Sequence, residues 1–353
     1  DPLVRLGIRR LVRQRLREER ADDPEAQSER STRLLSELRS SRIALDTDLA
    51  NVQHYEVPAA FYRLVLGSHL KYSGCYWEKG ALDLDDAEHD MLELYAERAE
   101  LRDGQDVLDL GCGWGSLSLW IARRYPACRI TSVSNSSSQR EYIQSVAQAE
   151  SLNNLTVLTS DMNDFAAAGQ YDRIVSVEMF EHMRNYRELF SRVHGWLKPG
   201  GRFFMHIFCH RSTPYEFLDK GEADWMSRHF FSGGIMPSDD LPLRFQERLQ
   251  LVRRWRWNGR HYERTSNAWL EEMDAKLRRS RRATAAFAAL AALNSGATGV
   301  MCTIHADSPK QALDRKFDQN IAWSGAAMPR VPEFLTELVD VVVQIKRSAD
   351  GFR

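Results

Sequence analysis

A glycine-rich turn between an apolar strand and an apolar helix is the feature that most constrains how this chain folds. Residues 107–117 read V-L-D-L-G-C-G-W-G-S-L, so a buried strand is expected to end at Asp109 and to be followed by Gly111, Gly113 and Gly115. Glycine is required where the backbone approaches a ligand closely or takes a positive φ. The segment therefore predicts a strand, a ligand-binding turn and a helix in direct succession.

Short apolar, β-branched runs alternate with helical stretches on both sides of this turn. The predicted strands cover residues 107–110, 129–133, 155–158, 173–177, 202–207 and 249–257. Strands that alternate with helices form βαβ units and a parallel sheet covered on both faces. We therefore predict an α/β fold with a Rossmann-like, doubly wound sheet.

The composition limits the class of protein. The 353 residues hold 48 Lys and Arg against 49 Asp and Glu, a net charge of -1 that gives no overall attraction for nucleic acid. No run approaches the roughly 18 apolar residues of a membrane span. The five cysteines include no C-x-x-C pair, which is typical of free thiols in a reducing compartment. We expect a cytoplasmic protein with no nucleic-acid partner, and the sequence leaves its oligomeric state open.

The two ends of the chain differ from its centre. Residues 1–20 contain seven arginines and predict a basic amphipathic helix, which we expect to pack over the main domain; peripheral contact with lipid is the alternative. Residues 21–31 are polar, contain Pro24 and predict a loop. The composition shifts to Arg, Ala and Leu over residues 277–292. We therefore predict a helical extension over 1–50, a main domain over 51–280 and a separate C-terminal segment over 281–353.

The residues after the second strand distinguish two cofactor classes. A nicotinamide site favours G-x-G-x-x-G and a carboxylate at the end of that strand, whereas this chain reads I-T-S-V-S-N-S-S-S-Q there. The form D-L-G-C-G-W-G-S is typical of class I methyltransferases that use S-adenosyl-L-methionine. Asp161 and Met162 follow the third strand, where such enzymes cradle adenine. The sequence thus favours S-adenosyl-L-methionine over NAD.

Several stretches together resemble the cyclopropane fatty acid synthase superfamily, and within it the branch of enzymes similar to coclaurine N-methyltransferase. They are H-Y-E-V-P-A-A-F-Y (54–62), L-K-Y-S-G-C-Y-W (70–77), V-S-N-S-S-S-Q (133–139), M-F-E-H-M-R-N-Y (179–186), H-I-F-C-H (206–210) and H-Y-E-R-T-S-N-A-W (261–269). The resemblance covers residues 51 to about 276. It implies a class I fold and methyl transfer from S-adenosyl-L-methionine.

The resemblance also implies site residues. The cofactor-binding set it indicates, with the glycine loop, is Tyr72, Ser73, Asp109, Gly111, Gly113, Gly115, Ser134, Asn135, Gln139, Asp161, Met162 and Asn163. Glu181 and His182 match the pair that the similar N-methyltransferases use to bind an amine and remove its proton. An alkylamine is mostly protonated at neutral pH, so a nearby carboxylate or imidazole assists its methylation. Glu178 shares a helical spacing with Glu181 and ranks below it.

The lipid-cyclopropanating branch uses a different set. It binds bicarbonate through positions that correspond to Gly74, Glu181, His206, Phe208 and Tyr262, of which Gly74 and Phe208 depart from the expected Cys and Ile. These departures favour N-methylation of a small amine, with Glu181, His182, His206 and Tyr262 as catalytic candidates. Methylation or cyclopropanation of unsaturated phospholipid remains the alternative. A metal at His206, Cys209 and His210 is disfavoured, since no second cluster completes four ligands.

The tail resembles a different family. Residues 284–353 are similar to the C-terminal part of a secretion or conjugation ATPase, with T-I-H-A-D-S around His305, but no Gly-Lys pair occurs anywhere in the chain. Without a phosphate loop such a tail holds no triphosphate, so a catalytically impaired fusion protein is a further alternative. Its best strand candidate is 339–345. We expect that strand to pair within its own small unit rather than to join the main sheet.

Overall fold

The computed structural model describes residues 2–19, 23–45, 47, 59–78, 80–218, 227, 231–279 and 339–347. The helices are α1 (Pro2–Glu18), α2 (Pro24–Ser40), α3 (Ala59–Val65), α4 (Leu84–Ala99), α5 (Ser116–Arg124), α6 (Ser137–Ala149), α7 (Tyr186–Trp196) and α8 (Arg260–Arg279). The strands are β1 (Asp106–Leu110), β2 (Arg129–Ser134), β3 (Leu155–Thr159), β4 (Tyr171–Val177), β5 (Leu197–Cys209), β6 (Tyr215–Glu216), β7 (Ile235–Met236), β8 (Leu249–Arg256) and β9 (Val339–Arg347).

Seven strands form the central sheet in the order β3-β2-β1-β4-β5-β9-β8. Strands β1 to β5 run parallel, and β9 runs antiparallel to both of its neighbours. The strand order reverses between β1 and β4, and open α/β sheets bind ligands at the carboxyl ends of strands at such a point. The predicted α/β, doubly wound fold is confirmed, and the six predicted core strands all form.

Alternating residues of the central strands supply two apolar layers. Leu108 and Ile174 belong to the core cluster that includes Leu38 of α2 and Phe190 of α7. Val107 packs in the opposite cluster, with residues of α4 and α5. Because successive side chains of a strand point to opposite faces, each strand between these layers is buried on both sides. This explains the near-continuous apolar runs that identified the strands in the sequence.

The loop predicted for residues 21–31 is wrong, since α2 begins at Pro24. The Asp23 carboxylate accepts a hydrogen bond from the backbone N–H of Ala26 at 2.9 Å, which caps the helix. Proline suits the first helical position, because its fixed φ is helical and the missing N–H would lack a helical partner there. Pro24 therefore starts a helix rather than marking a loop.

The predicted N-terminal basic helix is confirmed as α1. Its Arg15 guanidinium lies 5.8 Å from the centre of the Tyr215 ring, and Glu19, next to the helix end, pairs with Arg30 of α2. Glu19 is 2% exposed. The C-terminal half of α1 thus packs on the rest of the molecule, as expected.

The expectation that the tail strand pairs only within its own unit is also wrong. Strand β9 lies between β5 and β8, with Val343 opposite Met205 and Val342 opposite Trp255. Without it, β5 and β8 would each present an unpaired edge, and unpaired backbone N–H and C=O groups are costly. Ladder hydrogen bonds join backbone groups, so a β-branched segment can fill the gap between these two edges. Residues 280–338, which include most of the ATPase-like stretch, lie outside the described residues.

Candidate active site

The glycine loop forms a tight connection between β1 and α5. The backbone N–H groups of Gly111 and Cys112 both donate to the Val133 carbonyl at 3.0 Å, which ties the loop to the end of β2. Gly111 has φ of +76°, and a Cβ there would lie 2.7 Å from the Met179 side chain. Only glycine meets both conditions. The loop therefore lies directly against the segment that carries Glu181 and His182.

Gly113 has φ of +52°, and a Cβ built there would meet no atom within 4 Å. The backbone at Gly113 thus borders open space. In the first turn of α6, the buried Gln139 side chain has an amide nitrogen, Nε2, with no hydrogen-bond partner. A buried donor without a partner is costly unless a ligand satisfies it. An open cradle with an unsatisfied donor fits an adenosyl cofactor of the kind that the sequence predicts.

Asp109 supports this loop from within the sheet. Its side chain is 2% exposed and accepts a hydrogen bond from the Ser118 hydroxyl of α5 at 2.5 Å, while Ser132 donates to Ser118 at 2.7 Å. Burial raises the pKa of the Asp109 carboxyl to about 6. These contacts join β1, β2 and α5, so the Asp109 side chain holds these elements together beneath the loop.

The residues after β2 and β3 lie at the same edge of the sheet. Ser134 donates to Gln139 Oε1 at 2.6 Å and accepts from the Ser136 N–H at 3.0 Å, which fixes the Gln139 amide. Asn135 is half-buried beside Ser134. The predicted contacts Ser134, Asn135 and Gln139 are thus brought together next to the glycine loop.

The three residues predicted to flank adenine, Asp161, Met162 and Asn163, differ in their contacts. Asp161 accepts two hydrogen bonds from Asn163, whose amide also exchanges hydrogen bonds of 3.1 and 3.2 Å with the backbone of Ala44. Met162 is 7% exposed and packs in the core beside α7. Met162 thus lies in the core and Asn163 is bonded to the segment that follows α2, whereas Asp161 does neither.

Tyr72 and Ser73 lie on the extended segment that precedes α4. The Tyr72 ring packs against Tyr62 and Trp269 at centroid distances of 5.1 and 5.6 Å. The Ser73 hydroxyl accepts from the buried Lys71 amino group at 2.6 Å. Lys71 also donates to the carbonyl of Gly74, so it fixes the segment immediately after Tyr72.

Glu178, ranked below Glu181 from the sequence, contacts two other segments of the candidate site. One carboxylate oxygen accepts from the Gly74 N–H at 2.9 Å, and the other accepts from the Tyr262 hydroxyl at 2.9 Å. Glu178 therefore bridges the end of β4, the Tyr72 segment and α8. It has φ of +48°, which is uncommon for a residue with a side chain. The available sequence signal was its position three residues before Glu181.

Glu181 and His182 form a short 3₁₀ turn after β4. Glu181 is fully buried and accepts from the Phe208 N–H at 2.6 Å. The half-buried His182 ring stacks on Phe231 with centroids 4.3 Å apart. The pair thus lies at the carboxyl edge of the sheet, beside an aromatic wall formed by Phe208 and Phe231.

His206 occupies a different environment from His182. Its ring is fully buried, hydrogen-bonded through Nδ1 to the Tyr95 hydroxyl at 2.6 Å, and packed edge-on against Trp257. Burial lowers the pKa of His206 to about 3. Its backbone carbonyl accepts from the Glu178 N–H at 2.8 Å. The imidazole is therefore neutral near pH 7 and lies beneath the Glu178 bridge.

The described residues offer neither a metal site nor a membrane-spanning helix. No group of three or more His, Cys, Asp or Glu is arranged to hold a metal ion among them. Within the same part of the chain, no helix has the length and apolar character needed to cross a membrane.

The fold and the glycine loop define a class I methyltransferase that uses S-adenosyl-L-methionine, an enzyme of the EC 2.1.1 class. The family model described as mycolic acid cyclopropane synthetase matches residues 44–288. The chain belongs to this family.

Two relatives and one solved structure illustrate what the chain is similar to within the family. It is 40% identical over 246 residues to (S)-coclaurine N-methyltransferase of Thalictrum flavum subsp. glaucum, which covers 69% of this chain and 68% of that protein. It is 33% identical over 221 residues to cyclopropane-fatty-acyl-phospholipid synthase of Escherichia coli strain K12, and the match covers 62% of this chain and 55% of that protein. The crystal structure of coclaurine N-methyltransferase bound to N-methylheliamine and SAH matches with a TM-score of 0.82 and 32% identity, covering 98% of this chain and 94% of that one.

Proposed function

We propose that this chain transfers a methyl group from S-adenosyl-L-methionine to the nitrogen of a small, aromatic-bearing amine, with Glu181 and His182 as the proton-accepting pair. The observation that carries the proposal is the position of this pair at the carboxyl edge of the sheet, between the glycine loop and the Phe208–Phe231 wall. Its similarity to enzymes named as coclaurine, pavine and tetrahydroprotoberberine N-methyltransferases supports the choice of an amine.

The proposed cofactor site is built from the glycine loop and three flanking segments. Gly113 leaves room for the ligand, while Gly111 and Gly115 let the loop pack closely against Met179 and Ile143. The Gln139 amide supplies a buried donor, and Asp161 lies at the adenine side. Tyr72 and Ser73 close the site from the opposite side, and Asn135 borders it. S-adenosyl-L-methionine supplies an electrophilic methyl group on a sulfonium centre. Asp109, Met162 and Asn163 support this site from behind through the core and backbone contacts described above.

The acceptor side must bind a cation and then remove its proton. A carboxylate with no exposure to water interacts strongly with an ammonium group, so Glu181 is suited to bind the protonated amine. The half-buried imidazole of His182 can take the proton and pass it to solvent. Glu178 adds a second carboxylate near the pair and fixes Tyr262.

His206 and Tyr262 have supporting roles in this proposal. With a pKa of about 3, the imidazole of His206 does not accept a proton near neutral pH. The Tyr262 hydroxyl donates a hydrogen bond to the Glu178 carboxylate. We therefore assign both as positioning residues for Glu178.

Phospholipid methylation or cyclopropanation is the second candidate, and the similarity to the E. coli synthase favours it. Two local features weigh against it. Gly74 offers no thiol, and the neighbouring Cys75 is fully buried with the pKa of its thiol raised to about 12 by burial. We retain peripheral lipid contact through α1 and a cytoplasmic location as proposals.

Methyl transfer to an amine panel and to vesicles of unsaturated phospholipid separates the two candidates. We expect turnover with aromatic amines, and a loss of about a hundredfold in kcat/KM for Glu181→Gln and for His182→Gln. His89→Gln and Glu93→Gln alter an exposed histidine–glutamate pair on α4 and serve as matched controls. Unchanged amine turnover in the Glu181 and His182 variants would refute the base assignment, and turnover of vesicles alone would favour the lipid reading.

A further inference from the structure

The segment that carries Tyr72 and Ser73 lies along α8 and is bonded to it at alternate residues. The backbone N–H of Cys75 donates to the Thr265 hydroxyl at 3.0 Å, and the backbone N–H of Trp77 donates to His261 Nδ1 at 3.1 Å. Tyr72 packs against Trp269, one helical turn beyond Thr265. Helix α8 therefore contacts the segment at three points, although the two are far apart in sequence.

Thr265 is the centre of these contacts. Its side chain is fully buried, and its hydroxyl accepts from the Cys75 N–H and from the Trp77 indole N–H at 2.9 Å. The same hydroxyl donates to the carbonyl of His261 at 2.8 Å. A hydroxyl has one donor and two acceptor sites, so this one is fully used.

We propose that Thr265 is a positioning residue for cofactor binding, because its hydroxyl fixes the extended segment from which Tyr72 and Ser73 face the cofactor. This inference rests on the cofactor placement proposed above. Cys75 is two residues from Ser73, and Lys71 fixes Ser73 and Gly74 from the other side. Glu178 holds the Gly74 N–H, and His261 holds the Trp77 N–H. Loss of the Thr265 acceptor therefore releases one restraint on the segment and leaves the others in place.

The effect of removing the hydroxyl follows from the two donors that it serves. Thr265→Val keeps the shape of the side chain but leaves the Cys75 N–H and the Trp77 indole N–H buried without a partner. Unpaired buried donors are costly, so the segment shifts until they find other partners. The shift displaces Tyr72 and Ser73, whereas Glu181 and His182 are carried by the turn after β4.

The test compares binding of S-adenosylhomocysteine by calorimetry with steady-state kinetics in the full chain. For Thr265→Val we expect Kd and the KM for S-adenosyl-L-methionine to rise about tenfold, with the amine KM unchanged and kcat within about twofold at saturating cofactor. Thr265→Ser restores the hydroxyl and should restore binding. Thr32→Val removes an exposed hydroxyl that makes the same type of bond to the helix backbone, and is the control.

The outcomes separate this inference from the proposed function. Failure of the wild-type chain to bind S-adenosylhomocysteine would refute the cofactor site itself. Wild-type affinity in Thr265→Val, or equal losses in cofactor KM, amine KM and kcat, would overturn the positioning role alone. Should Thr265→Val not fold, Thr265→Cys, whose thiol is a weak acceptor, is judged by the same criteria. Trp77→Phe removes only the indole donor and should change Kd by less than Thr265→Val.

Discussion

Gly111 and Gly113 both have positive φ, but only Gly111 lacks room for a side chain, and alanine at each position separates the two effects. Gly111→Ala places a methyl group against Met179, so we expect a loss of about 2–3 kcal/mol in the free energy of unfolding from strain and overlap. Gly113→Ala has open space around the new methyl group, so only the backbone term of about 1–2 kcal/mol applies.

Denaturant unfolding and calorimetry with S-adenosylhomocysteine measure the two effects. We expect Gly113→Ala to remain folded and to lose cofactor affinity, because its methyl group fills the proposed cradle. Wild-type affinity in Gly113→Ala would show that the cofactor does not approach the loop there.

His206 makes stability depend on pH. Its pKa is about 3 in the folded protein against an ordinary value of 6.5, so the unfolded chain binds the extra proton and stability falls as pH drops below 6.5. Between pH 7 and pH 5 this group alone costs about 2 kcal/mol.

His206→Gln removes that proton-binding site and retains a hydrogen-bonding side chain for Tyr95. From pH 7 to pH 5, the free energy of unfolding should therefore fall by about 2 kcal/mol less in the variant than in the wild type. Glu88 and Asp109, whose pKa values are raised to about 7 and about 6 by burial, titrate in both proteins with the opposite sign. An unchanged difference would mean that His206 is protonated in the folded state.

At the scale of elements, Asn163 joins the loop after β3 to the segment that follows α2. The Arg184 N–H donates to the Ile43 carbonyl at 2.6 Å, and Ala44 bridges to Met183, so the same segment also contacts the turn after Glu181 and His182. Helix α2 is therefore docked beside the site through backbone bonds as well as through Leu34 and Leu38.

Asn163→Ala should lower the free energy of unfolding by about 1–2 kcal/mol and speed amide exchange at Ala44, because it removes two hydrogen bonds to that residue. We expect little change in affinity for S-adenosylhomocysteine. Asp164→Ala changes the exposed neighbouring residue and is the control. Loss of cofactor binding with normal exchange at Ala44 would instead place Asn163 at the adenine, as the family resemblance implies.

At the scale of the whole molecule, β9 joins the edge strand β8 to β5 and so to the rest of the sheet. A chain that ends at Arg279 lacks this strand and leaves the facing edges of β5 and β8 unpaired. We expect it to aggregate and to lose cooperative unfolding, because open strand edges pair with other chains. Size-exclusion chromatography and thermal unfolding beside the full chain test this. A monomeric truncated chain with the thermal midpoint of the full chain would show that β9 contributes little.

The local patterns in the sequence were sufficient for the core strands, and the form of the glycine loop indicated the cofactor class by resemblance. The core strands and the glycine loop follow from consecutive residues, whose periodicity and backbone requirements are local properties. The Glu181–His182 pair was indicated by the family resemblance. The loop predicted at Pro24 failed because proline both ends and starts helices, and the side chain of Asp23 decided between these outcomes.

The sequence by itself determined a doubly wound α/β sheet with a glycine turn after its first strand, since glycine spacing and apolar periodicity are fixed by adjacent residues. Its resemblance to a known family indicated the methyltransferase class. The tertiary structure alone decided that Glu178 bridges Gly74 and Tyr262, that Thr265 serves the Tyr72 segment, and that β9 completes the sheet. Each of these joins residues separated by dozens of positions or more. Such contacts depend on how the elements pack in space, and no local pattern encodes them.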